Sequence, residues 1–77
     1  MINVHAVWNY EGETIYRDYT RIDKAIYLTK DGRQIISDDD LLTHIFPLNV
    51  VIYFQGPDCN YVINPHNLIS LEINKQR

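Results

Sequence analysis

The sequence predicts a mainly β protein, a β-rich α+β fold. It reads as a small antiparallel barrel or twisted sheet of three hairpins, with one short helix near residues 38–46. Three observations carry this. First, Gly12, Gly32 and Gly56 each fall between two β-prone runs. Second, Asp31-Gly32 between alternating apolar runs is a strong hairpin signal, because a tight primed turn needs positive φ and glycine adopts it without a Cβ clash. Third, 77 residues with 45% hydrophobic and 22% charged side chains make one folded domain, placed at 1–74, with 75–77 as a frayed tail.

The first hairpin runs from Ile2–Tyr10 through Glu11-Gly12 into Glu13–Thr20. The second runs from Ala25–Lys30 through Asp31-Gly32 into Arg33–Ser37, and its expected register sets Leu28 opposite Ile35 and Tyr27 opposite Ile36. Ser37 is a suitable N-cap, Asp40 its N3 partner, and the acids suit a helix start that Pro47 closes. The third hairpin runs from Asn49–Gln55 through Gly56-Pro57-Asp58-Cys59 into Asn60–Ile63. Asn64-Pro65-His66-Asn67 then turns into a last strand, Leu68–Asn74.

The second and third hairpins align as an internal repeat. Residues 25–45 lie over 51–73 with one insertion at Pro57, matching Ile26 to Ile52, Tyr27 to Tyr53, Leu28 to Phe54, Ile35 to Val62 and Ile36 to Ile63. Both faces of the second hairpin carry apolar groups, as does the run Val50–Phe54. A strand apolar on both faces is covered on both sides or lies at an interface. A closed barrel or a homodimer would satisfy it.

Charge is unevenly placed along the chain. Residues 1–37 balance five acids with five bases, whereas 38–74 hold Asp38, Asp39, Asp40, Asp58 and Glu72 and no base. An acidic surface steers toward a basic partner and repels phosphate. With a net charge of −3, nucleic acid is a poor ligand for the chain. The single Cys59 excludes a disulfide framework and a four-cysteine zinc module. No apolar run approaches the roughly 18 residues of a membrane span, and no basic-then-apolar leader opens the sequence, so the expected address is the cytoplasm, away from membranes.

No constellation for chemistry emerges. Counted from Asp38, a calcium loop would need Gly at its sixth position and Glu at its twelfth, where Thr43 and Asn49 stand. His5, His44, His66 and Cys59 fit no zinc spacing. Cys59 with His66 lacks an oxyanion device, and the repeat places Cys59 in an exposed turn slot. No catalytic residue, metal or cofactor is therefore expected. Tyr16, Arg17, Tyr19 and Arg21 interleave aromatic with basic residues, a pattern that base stacking uses, although strands favour tyrosine in any case.

Tyr61-Val62-Ile63-Asn64 with Leu68 and Ile69 echoes a YxVNxxxI segment, and residues 25–73 resemble the C-terminal part of LytTR-type DNA-binding domains. The resemblance implies repeated hairpins with a short helix, and DNA binding. The basic residues that family carries before the segment are replaced here by Gly56-Pro57-Asp58-Cys59, so the family is not adopted.

The expected function is that of a small non-enzymatic intracellular protein-binding module, an inhibitor or adaptor. Its concrete form is a phage or mobile-element accessory protein acting on a host factor. The expected contacts are Asp38, Asp39, Asp40 and Asp58 with Tyr16, Tyr19, Tyr53 and Tyr61, facing a protein with a basic surface. The alternatives are a DNA-binding regulator using Arg17, Arg21, Lys24 and Arg33, and a small-ligand sponge with a pocket between subunits.

Overall fold

The computed structural model describes residues 1–75. Seven strands alternate along the chain: β1 (Ile2–Tyr10), β2 (Glu13–Ile22), β3 (Lys24–Thr29), β4 (Gly32–Ser37), β5 (Ile52–Gly56), β6 (Cys59–Ile63) and β7 (Leu68–Lys75). A single 3-10 turn, η1 (Asp38–Leu42), follows β4. The strands form two antiparallel sheets, ordered β2-β1-β7 and β4-β3-β5-β6. Fold class and all three hairpins are as the sequence predicts. Lys75, assigned to the tail from sequence, is the last residue of β7, and residues 76 and 77 lie outside the described residues.

Each sheet turns one pleat face inward. From β1 come Ile2, Val4, Ala6 and Trp8, from β3 Ala25 and Tyr27, from β5 Ile52 and Phe54, and from β6 Ile63. Leu41 of η1 is fully buried beside them, so that turn closes one end of the core. At the other end the Trp8 indole donates to Asn64 O at 2.8 Å, which satisfies the one polar atom of a side chain that is otherwise core.

The sheets are joined where β2 ends. One extra residue enters β2 between the pairs Ile2↔Ile22 and Val4↔Tyr19, and Arg21 takes φ 60 there. This bulge re-aims the chain into β3. Gly56 packs against the bulge so closely that a Cβ on it would stand 1.9 Å from Arg21 O. Asp23 N–H donates to Gln55 O at 2.9 Å and Asp38 N–H to Asp23 O at 2.8 Å, which lace β3, β5 and η1 together at that end.

Four local expectations are corrected. The β3–β4 hairpin pairs Ile26 with Ile35, Tyr27 with Gln34 and Leu28 with Arg33, a slip of two residues from the expected register that leaves the faces unchanged. The cause is Thr29. Its hydroxyl accepts from Asp31 N–H and donates to Gly32 O, both at 3.1 Å, closing the turn over Lys30 and Asp31 with Gly32 at φ +115 beyond it. The repeat also needs no insertion. Pairing Thr29↔Gly32 and Gly56↔Cys59 sets 29 over 56 and 32 over 59, an offset of 27 throughout, so that Tyr27 corresponds to Phe54 and Ile26 to Tyr53. Cys59 is accordingly a half-buried strand residue paired with Gly56, not an exposed turn residue.

The fourth correction is the helix, which stops at Leu42. Ser37 makes no side-chain cap bond, and Asp38 enters with φ 53. Thr43 and His44 both donate to Asp40 O, at 3.3 and 3.1 Å, and the chain then leaves the helix. Tertiary contacts take it: His44 Nε2 and Tyr27 Oη share a 2.6 Å hydrogen bond, and the Phe46 ring lies 5.6 Å from that of Phe54.

Candidate protein-contact surfaces

The two outward sheet faces differ in chemistry. On the three-stranded sheet the pairs His5↔Asp18 and His5↔Glu72 make a polar row, and His5 Nδ1 contacts Asp18 Oδ1 at 2.6 Å. Tyr16, opposite Val7, stacks on His5 with centroids 5.7 Å apart. Val7 beneath is buried.

On the four-stranded sheet the pairing Ile35↔Ile26↔Tyr53↔Val62 draws an apolar row across all four strands. Ile35, Tyr53 and Val62 are exposed to 50%, 40% and 56%. Leu28, on the same face of β3, is 65% exposed, and Val51 just before β5 is exposed as well. Among the described strand residues, the period of two puts Lys24 and Arg33 on this face as its only charged side chains, with no acid beside them. Exposed apolar side chains scattered singly are ordinary, whereas a contiguous row across a sheet is a feature that calls for a physical explanation.

The expected site residues separate. Asp38, Asp39 and Asp40 are exposed on η1. Asp58 sits in the β5–β6 turn and meets Arg21 Nη2 at 3.3 Å. Both groups lie at the end of the four-stranded sheet where Ser37, Lys24, Gln55 and Asn60 align, but at its opposite edges. The base-free stretch of sequence is therefore not a base-free surface, because β2 and β3 bring Arg21 and Lys24 to the same end. Tyr19 and Tyr61 pair across the sheets at 4.5 Å and are half-buried. Burial holds the Tyr19 hydroxyl above its ordinary range against the opposing pull of Arg17, with Tyr61 adding slightly. Of the four tyrosines only Tyr53 belongs to the apolar row. Of the remaining members, Ile26, Leu28, Ile35 and Val51 were signalled only by the two-sided apolarity of their strands, and Val62 by no such pattern.

Cys59 Sγ faces the carbonyls of Arg21 and Thr20 at 3.9 and 4.0 Å. Among the described residues no three His, Cys, Asp or Glu side chains gather as a metal site, and no helix is long and apolar enough to cross a membrane. No family model matches the chain, LytTR-type domains included, and no curated protein or solved structure matches it.

Proposed function

We propose that the protein is a small non-enzymatic binding module, an inhibitor or adaptor, that holds another protein on the outer face of its four-stranded sheet. The observation that carries this is the exposed row Ile35–Ile26–Tyr53–Val62 flanked by Leu28 and Val51. Burying such a row contributes roughly 25 cal/mol per Å² of apolar surface removed from water. Tyr53 at its centre supplies the amphipathic contact that interface hot spots favour.

Charge defines the partner. Lys24 and Arg33 border the row, so the matching surface is apolar with carboxylates at its edge. A second copy packed face to face would set cations at both ends of the apolar row with no anion on either face to pair with them, which disfavours self-association on this face. The small size and the lack of a catalytic constellation fit an accessory protein of a phage or mobile element acting on a host factor.

The test compares capture from source-cell lysate, with nuclease present, by the native protein and by a variant carrying Ile35→Thr, Tyr53→Thr and Val62→Thr. Threonine keeps β propensity while removing apolar surface. A nuclease-resistant protein held by the native chain and lost by the variant supports the reading. Equal capture by both overturns it.

A further inference from the structure

β7 is an edge strand. Among the described residues it pairs only with β1, and no backbone hydrogen bond outside that ladder reaches Ile69–Lys75. An edge of this length with no proline is a template for another strand, since every second residue points its N–H and C=O at open solvent. Native edges are blunted by bulges, charges or a covering segment. Here the bulge lies at the start of β7, between the pairs Val7↔Ser70 and Trp8↔Leu68, and leaves Leu71–Lys75 regular.

Beside that edge runs a groove of about 300 Å³. Its walls are Ile69, Leu71 and Ile73 on one side and the segment after η1, with Ile45, Phe46 and Leu48, on the other. Ile45 is 90% exposed, which leaves that wall without a partner. The groove is partly open to solvent and six of its eight lining side chains are apolar, so a chain lying along β7 would turn every second side chain into it. This is the geometry of strand addition, in which the backbone ladder gives affinity and the pockets choose the side chains.

The groove also has a charged neighbour. η1 lies against β7, and His44, which lines the groove, donates its N–H to Asp40 O at 3.1 Å. Asp38, Asp39 and Asp40 are all exposed on that turn, against the single Lys75 on β7. A guest strand with a basic residue at that end gains attraction, and one with an acidic residue is repelled.

We infer that the edge of β7 and the groove beside it form a second binding site, for an extended protein segment with alternating aliphatic residues and a basic residue at the end next to η1. The site is separate from the apolar sheet face and carries the opposite charge. It gives the expected acidic contact a physical setting: Asp38, Asp39 and Asp40 select the charge of a strand that the groove holds. With two such surfaces the protein is built as an adaptor.

The probe is a synthetic heptapeptide library in which Val, Ile or Leu alternates with random polar residues, made once with lysine and once with glutamate at each terminus. It is panned against the full chain and against an Ile45→Asp, Leu48→Asp variant whose folding is verified by its unfolding midpoint. Peptides enriched on the native chain should be lysine-ended and should bind the wall variant at least about tenfold more weakly. Reversing Asp39 and Asp40 to lysine should weaken them by up to about fivefold, less at high salt. Bound peptide should shift and protect the amides of Ile69–Lys75 and leave those of Ile35 and Val62 unmoved. Absence of enrichment, binding indifferent to the wall variant, or equal enrichment of glutamate-ended peptides would overturn the site. Protection of Ile69–Lys75 that grows with protein concentration alone would assign the edge to a second copy instead.

Discussion

Several single positions are fixed by contacts that composition does not show. Gly56 is the clearest, since any Cβ there meets a backbone carbonyl that cannot rotate away. Gly56→Ala should destabilise the fold by about 2 kcal/mol or more, because the bulge at Arg21 would have to move. Urea denaturation of the two proteins measures it, and a shift within about 0.5 kcal/mol would show that the bulge is soft. Gly12, with no atom within 4 Å of its Cβ position, meets no such obstacle, although its φ of +84 still favours glycine. Tyr19 gives a pH test. Its hydroxyl ionises less readily in the fold than in the unfolded chain, chiefly through burial. The folded state therefore keeps the proton longer, so this group's stabilisation is intact below its unfolded pKa of about 10 and is lost as pH rises through the higher folded value. Tyr19→Phe should reduce the loss of stability in that alkaline window, which thermal unfolding across the window would reveal. These residue-scale facts were illegible in the sequence because each depends on a neighbour brought from another strand.

At the scale of elements, much was legible. Alternation and glycine spacing marked all three hairpins, since strand and turn preferences are local. Register was less so. The β3–β4 turn is set by the Thr29 hydroxyl and not by Asp31-Gly32 alone, and that moved every pair by two positions. Thr29→Ala should cost about 1 kcal/mol through its two lost hydrogen bonds, read by urea denaturation, and Thr29→Ser should restore most of it. Equal loss for alanine and serine would mean that the hydroxyl does not hold the turn. The short helix shows the opposite error. The Ser37-to-Asp40 pattern suits a helix start, but Ser37 makes no cap bond, and burial of Leu41 and the tie from His44 to Tyr27 take the chain away after one turn. Tertiary contact outweighs propensity in so short a segment.

For the whole molecule, the sequence revealed a problem and the fold locates it. Two-sided apolar strands demanded a cover, and the four-stranded sheet leaves its outer face without one among the described residues. The acidic stretch read as one surface because it is contiguous in sequence, yet the sheet order sends Asp58 to Arg21 at one edge and Asp38–Asp40 to η1 at the other. The groove beside β7 had no sequence signal, because its walls lie more than 20 residues apart along the chain and meet only in the fold. On the function proposed above, the apolar face, and not the acidic end, holds the folded partner. The most direct measurement is calorimetric titration of the captured partner into three proteins: native, the Ile35→Thr, Tyr53→Thr, Val62→Thr variant, and a variant with Asp38, Asp39 and Asp40 all changed to Lys. Affinity should be at least about tenfold weaker for the threonine variant and unchanged for the lysine variant. Affinity lost with the lysines and retained with the threonines would contradict it.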